Sequence, residues 1–463
     1  MANESMVPGG SGRVVVRETI DGVPVEEAAG RQRARQKPQP GRQVAARRPD
    51  TYIWGIYLSL LLISVIELFS ASSTEVRASN VYAPLIRHCV FLGGGLLIVL
   101  TFQKIHYSVF RKLAWPMAIL SLALLLLSSV AGVEINGAQR AIQMGPITIQ
   151  PPEIVKLTVV LLLAGVLARN QIPGGVSMKG IATASVIVMV FSIFVLPNGL
   201  TNLLILIGAS GCMFMISGMK IRTIFLVLAI YCLCGGLAYA LRSASAADRQ
   251  FDAIAAQATG GAESSAAPSI GREHTQKNRI ARHLKGVSPT DTIDDLNRQV
   301  FFSKFALANG GVHGRGPGNS RESARLPLAF SDYIYSIIVE DTGFIGGLGL
   351  LLLYLCLIGR AGIVASKCTR AFPALLIMGC ALLIVLQALV HMAIVTGLAP
   401  VSGQPLPFIS KGGTSILVMS AAIGMMLSVS RYGTTRGNKK QQNAEISQLP
   451  DDLQAANPMQ IGS

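Results

Sequence analysis

The chain has 463 residues, of which 51% are hydrophobic and only 14% charged, with a formal net charge of +16. A soluble globule carries about 25% charged residues, so with a mean hydropathy of +0.50 the composition excludes a soluble enzyme and describes an integral membrane protein. Nucleic acid is not an expected partner, because positive residues at the edges of apolar segments set topology and meet anionic lipid.

Residues 1–50 lack apolar periodicity, and between Gly30 and Pro49 they hold Arg31, Arg33, Arg35, Lys37, Arg42, Arg47 and Arg48 with no acid. This reads as a disordered basic cytoplasmic tail, either a topology signal or an arm for anionic lipid or a cytoplasmic partner. No apolar stretch near the N-terminus suits a cleavable signal peptide.

A hydrocarbon core about 30 Å thick needs about 20 apolar residues per helix. Ten candidate spans follow, near 53–72, 84–102, 110–131, 154–168, 181–197, 200–218, 222–241, 334–358, 372–396 and 408–429. The runs are too long and too free of alternation for barrel strands, and only helices or closed barrels satisfy backbone groups in lipid. The expected fold is all-α, a polytopic membrane bundle of about ten transmembrane helices over 51–432, followed by a disordered cytoplasmic tail over 433–463. Arg111, Lys112, Arg169, Lys179, Lys220, Arg222, Arg360, Lys367, Arg370, Arg431, Arg436, Lys439 and Lys440 fall on the side of the N-terminus. The opposite short loops hold only Arg77, Arg87, Arg140 and Lys411, so both termini are expected in the cytoplasm and the loop 242–333, between helices 7 and 8, outside. The seven cysteines, Cys89, Cys212, Cys232, Cys234, Cys356, Cys368 and Cys380, lie nearly all within these helices or at their cytoplasmic ends, and indicate neither a disulfide framework nor a zinc site.

The outward loop has two parts. From Ala244 to Ser269 it is rich in Ala, Gly, Ser and Gln and reads as mobile. Beyond Arg272, "IDDLNRQVFFSKFALANGG" suits a short amphipathic helix with Leu296, Val300, Phe301, Phe305 and Leu307 on one side, facing the membrane or packed on the bundle.

A charge at the centre of a membrane helix costs about 2.5–3.5 kcal/mol and needs a partner or a wet cavity. In "NGAQRAIQMGPITIQPPEIVKL", Arg140 lies outside the third and fourth helices, and Glu153 and Lys156 are spaced to pair on one face, as a helix anchor or as substrate ligands. Asp332, Glu340 and Asp341 in "FSDYIYSIIVEDTGF" put carboxylates on or near one face of the eighth helix, which suits a polar cavity. "GLAPVSGQPLPFISKGGTSIL" breaks the start of the tenth helix, where Ser402, Gln404, Ser410, Lys411 and Thr414 line a head-group cavity or a re-entrant turn. Asp291, Asp294 and Asp295 in the outward loop are candidates for a general base or for ligands of a hard cation, although loop acids are commonplace.

"LANGGVHGRGPGNS", "FSDYIYSIIVEDTGFIGG" and "PVSGQPLPFISKGGTSIL", in this order and with "IQPPEIVKL" upstream, resemble the SEDS family (shape, elongation, division and sporulation), in its cell-division branch. The resemblance spans about 52–432. It implies a ten-helix peptidoglycan glycosyltransferase that polymerises lipid II, drawing on undecaprenyl-pyrophosphate-linked glycan at the outer face of the bacterial cytoplasmic membrane. It also implies a class B penicillin-binding transpeptidase and other divisome membrane proteins as partners.

The family's loop aspartate is carried over to Asp291, by its distance from Gly310 and Gly311, with Asp294 and Asp295 as alternatives because this chain reads "DTIDDLNRQ" where the family has an Asp-Pro and a Tyr-Gln. Asn198 and Lys411 also replace the family's Asp and Tyr. On this reading Asp291 takes the proton of a sugar 4-hydroxyl, while Arg140, Lys156, Arg315 and Lys411, with Mg2+ or Mn2+, are candidates to balance the leaving pyrophosphate. Asn319, Ser320 and Asp332 would face a groove for the head group, with Glu340 deeper in the bundle. A lipid II flippase and a non-catalytic division scaffold are the alternatives.

Overall fold

The computed structural model describes residues 3–5, 17–20, 23–24, 48–75, 83–131, 133–135, 138–144, 147–172, 175–231, 233, 236, 281, 283, 297–323, 325–326 and 330–433. Two units are recognised, 1–46 and 47–463. The first carries a short antiparallel meander, β1 (Asn3–Ser5), β2 (Arg17–Ile20) and β3 (Val23–Pro24), with Asn3 opposite Thr19 and Ile20 opposite Val23. Most of the tail expected over 1–50, the Ala-rich part of the outward loop, and residues 434–463 lie outside the described residues.

The second unit is a helical bundle. Its helices are α1 (Thr51–Glu75), α2 (Ala83–Phe102), α3 (Tyr107–Ala131), α4 (Pro151–Arg169), α5 (Met178–Val195), α6 (Leu200–Ile216), α7 (Ile221–Tyr231), α8 (Arg298–Gly310), α9 (Ile334–Ser366), α10 (Ala371–Val395) and α11 (Gly413–Tyr432). Among the described residues eight are long and apolar enough to cross a membrane, and α6 and α7 are shorter apolar helices. Among the described residues each of the ten expected spans holds a helix, the tenth only from Gly413 onward, and α8 is the amphipathic helix expected before the eighth. It buries Phe301, Ser303, Ala306 and Gly310 and packs on α9, while Phe305 is exposed. Of the two placements expected for it, packing on the bundle holds for that face.

Local chemistry explains several helix starts. Asp50 Oδ1 accepts from Tyr52 N and Ile53 N at the first turn of α1, which satisfies donors that a helix leaves unpaired. Pro151 and Pro152 open α4, where a missing N–H costs nothing. Ser177 Oγ accepts from Gly180 N at the start of α5.

The centre of the bundle is α4, α10 and α11, each buried over most of its length. α2 packs on α11, α3 and α5 on α4, α6 on α10, and α1 and α10 on α9. Small residues permit the approach: Gly95 faces Ser420, and Gly379 faces Val160 and Met213. Between α3 and α4 lies an antiparallel meander, β4 (Val133–Ile135), β5 (Ala138–Met144) and β6 (Ile147–Ile149), with Ile142 opposite Ile149. A two-stranded ribbon, β7 (Gln171–Ile172) and β8 (Gly175–Val176), joins α4 to α5. The sequence reading held no strands; these are short and all lie outside the spans.

One span is broken. Gly343 in α9 has φ 75° and ψ −176°, a region essentially restricted to glycine. The loop after α8 supplies the hydrogen bonds that the break releases. Arg315 N donates to Glu340 O (3.0 Å) and Gly316 N to Asp341 O (2.8 Å), while Phe344 N and Ile345 N donate to Gly311 O and Val312 O. Two stretches of main chain thus pair where lipid would satisfy neither. They approach so closely that a Cβ on Gly314 would meet Asp341 O and Gly343 N.

Candidate functional site

The start of α4 brings Glu153 and Lys156 onto one face, and they form a buried ion pair of 2.7 Å. Lys156 Nζ also donates to Gln387 Oε1 of α10 at 2.6 Å. Gln387 Nε2 in turn reaches Pro405 O (3.3 Å), and Ser415 Oγ of α11 donates to Glu153 Oε2 (3.3 Å). A charge pair that would be costly in lipid is thereby held by three helices and the loop before α11.

Glu153 is also part of the wall of a cavity of about 370 Å³, within the size range of small-molecule sites. Arg87 and Lys411 bring positive charge to this wall, and Glu153 and Asp332 bring carboxylates. His88, Asn202, Gln404 and Thr414 contribute further polar groups. The lining comes from the second and third turns of α2, from the first turns of α4, α6 and α11, from Thr148 and Gln150 just before α4, from Ser331 and Asp332 just before α9, and from the loop before α11. In an up-and-down bundle of ten spans these are the starts of spans 2, 4, 6, 8 and 10, which share one membrane face.

Around the cavity, Ser64 Oγ and His88 Nε2 lie 2.8 Å apart, and Thr414 Oγ1 donates to Thr148 O at 2.7 Å. Lys411 N donates to Phe330 O (2.9 Å), and its ammonium stands 5.8 Å from the centre of the Phe330 ring.

A second polar cluster lies beneath the glycine-rich loop. Glu340 is fully buried and accepts from Ser320 Oγ (2.5 Å), Arg321 N (3.0 Å) and Glu322 N (3.3 Å). Ser70 of α1 donates to Asp341 Oδ2 and accepts from Gly318 N (2.7 Å), so α1, the loop and α9 meet at one hydroxyl. Glu322 is buried beside this cluster. Desolvation raises its carboxyl above the ordinary value, partly countered by Arg325, and Glu340 adds to the rise.

Of the candidate residues, Glu153, Asp332, Gln404, Lys411 and Thr414 share the cavity. Lys156 lies behind Glu153 and is outside the lining, so it acts on the wall through its partner. Ser410 shapes the loop, donating to Ser331 O (2.7 Å) and accepting from Leu406 N (2.7 Å), and Ser402 O accepts from Gln404 N (3.0 Å). Arg315, Asn319 and Ser320 lie with Glu340 in the loop cluster, where Asn319 Nδ2 donates to Arg315 O (3.2 Å). The expected common groove for Asn319, Ser320 and Asp332 therefore divides in two, because Ser320 is turned to Glu340 while Asp332 lines the cavity. Arg140 falls in β5. Asp291, Asp294 and Asp295 lie outside the described residues. Among the described residues no three His, Cys, Asp or Glu side chains converge as a metal site would need.

The reading from sequence missed Arg87 and His88 as lining residues, as well as Asn202, Gln387, Glu67 and Ser70. Glu67 carried a signal of its own, a lone acid in the first apolar run; it is buried at 2% exposure.

A many-spanning helical bundle with a charged cavity at the shared start of five spans defines a multi-pass membrane protein. Residues 50–435 match the family model for the cell cycle proteins FtsW, RodA and SpoVE. The chain belongs to this family, the SEDS proteins. It is 28% identical over 390 residues to stage V sporulation protein E of Bacillus subtilis (strain 168), covering 83% of this chain and 97% of that one. It is 27% identical over 383 residues to the probable peptidoglycan glycosyltransferase FtsW of Pseudomonas fluorescens (strain SBW25), covering 80% and 85%. It is 26% identical over 376 residues to the peptidoglycan glycosyltransferase MrdB of Escherichia coli (strain K12), covering 81% and 91%. Among solved structures, the rod shape determining protein RodA of Thermus thermophilus aligns with a TM-score of 0.56 at 23% identity, over 86% of this chain and 100% of that one. A chain of a peptidoglycan synthase complex aligns with a TM-score of 0.61 at 24% identity, over 84% and 98%. At these identities the structural likeness establishes the fold.

Proposed function

We propose that this protein is a peptidoglycan glycosyltransferase that polymerises lipid II at the outer face of the bacterial cytoplasmic membrane, in septal wall synthesis, with both termini in the cytoplasm. The observation that carries this reading is the cavity, in which Arg87 and Lys411 stand with Glu153 and Asp332. Two cations suit a pyrophosphate, and the mouth lies at one membrane face, where a lipid-linked head group arrives. The names of the relatives support the same chemistry.

In this reaction the 4-hydroxyl of one lipid-linked sugar attacks the anomeric carbon of the growing chain. The new C–O bond forms as the bond to the pyrophosphate breaks, and undecaprenyl pyrophosphate leaves with the electron pair. Asp291, or Asp294 or Asp295 in its place, takes the hydroxyl proton. Arg87 and Lys411 offset the charge that develops on the leaving oxygens. The acids that could hold Mg2+ or Mn2+, Asp291, Asp294 and Asp295, lie outside the described residues, and chelation in the assay reads any requirement. The partners are a class B penicillin-binding transpeptidase, which crosslinks the strand, and other divisome membrane proteins.

The test uses purified protein and labelled lipid II, with and without the transpeptidase and divalent cation. Polymer is expected from the parent, and at least one of Asp291→Ala, Asp294→Ala and Asp295→Ala should abolish it. Full polymerisation by all three variants would remove the loop acid from the mechanism. Movement of lipid II across a bilayer without polymer would establish the flippase instead.

A further inference from the structure

We propose that Asn202 and Gln404 form an amide subsite in the cavity wall that holds the acetamido group of the substrate sugar. Both side chains line the cavity and are almost fully buried, at 7% and 3% exposure. Gln404 Nε2 donates to Asn202 Oδ1 at 3.0 Å, which joins the start of α6 to the loop before α11. Gln404 Oε1 is buried and has no partner, an expensive state for a carbonyl that a turn of the side chain toward the cavity and a ligand N–H there would relieve. The main chain beneath it is fixed independently, because Gln404 O lies 2.7 Å from His391 Nδ1.

The rest of the wall explains why a neutral group belongs here. Arg87 and Lys411 suit a phosphate, and Glu153 and Asp332 suit hydroxyls. The amide pair is uncharged and planar, and an acetamido group is a planar unit with one donor and one acceptor. Exchanging the oxygen and nitrogen of both amides keeps their mutual bond and leaves a donor in place of the acceptor. An acetamido group satisfies either arrangement.

This inference rests on the glycosyltransferase reading, so its test reads binding separately from turnover. Full-length protein in detergent is titrated with lipid II and with analogues in which the acetamido N–H of either sugar is replaced by an ester oxygen. The parent should bind lipid II about tenfold more tightly than one of the esters, the size of effect expected from one hydrogen bond to a buried partner. Gln404→Leu should bind lipid II and that ester alike, with affinity for the ester unchanged. Asn202→Ala, which keeps the glutamine but frees it, should reduce the preference severalfold, and it carries the test if Gln404→Leu does not fold. No preference in the parent, or a preference intact in the variants, overturns the subsite. Preference in binding without any polymer would instead overturn the polymerase reading and leave the subsite standing.

Discussion

Lys156 has no exposed surface, yet its ammonium meets two acceptors, Glu153 Oε1 and Gln387 Oε1. Removing one member of a buried pair strands the other, at a cost of about 3–5 kcal/mol. Lys156→Met should therefore lower the melting temperature in detergent, and adding Glu153→Gln should recover part of the loss; an unchanged melt in Lys156→Met would mean the pair contributes nothing. Glu322 makes a prediction of opposite character. Its carboxyl is raised, chiefly by desolvation, so the folded state holds the proton more tightly than the unfolded chain. The associated stability is complete below the ordinary value of 4.5 and is lost as pH rises through the higher folded value. Glu322→Gln should flatten this part of the pH dependence and melt higher than the parent at neutral pH; parallel curves from pH 4 to 8 would contradict it. The Glu153–Lys156 contact was legible because its spacing is local. Gln387 lies 231 residues from Lys156 in the chain, and no periodicity announces such a partner.

At the scale of elements, the ten spans were readable because an apolar run of membrane length has few alternatives in composition. The break in α9 was not. The apolar pattern runs on through "GFIGGLGLLLLYLCL", and one glycine in a helical run costs only about 1 kcal/mol, too little to predict a break. What stabilises it is the main chain of residues 311–316, which meets Glu340, Asp341, Phe344 and Ile345 across the fold. Gly343→Ala should be costly, by about 1–3 kcal/mol from the backbone alone, because the new Cβ would also run into Val312 O and Gly314 N. Gly349→Ala in the same helix meets nothing within 4 Å and should be neutral or slightly stabilising. A comparison of the two melts checks the break, and equal behaviour would show that α9 can straighten at no cost.

For the whole molecule, the cavity's position follows from connectivity. Successive spans alternate in direction, so the residues at the starts of α2, α4, α6, α9 and α11 gather at one face, and Asn319 in the loop before α9 lies with them. Lys220 before α7 and Lys367 before α10 belong to the other face, where the positive residues are concentrated. In a background with all seven cysteines replaced, Asn319→Cys should react with an impermeant maleimide in intact cells. Lys220→Cys and Lys367→Cys should react only after permeabilisation. All three side chains are exposed on the protein, so a difference in labelling reports the membrane and not burial. The reverse pattern would place Arg87, Asp332 and Lys411 toward the cytoplasm, where a head group already moved to the outer leaflet cannot reach them, and polymerisation at that leaflet would then be ruled out for this chain.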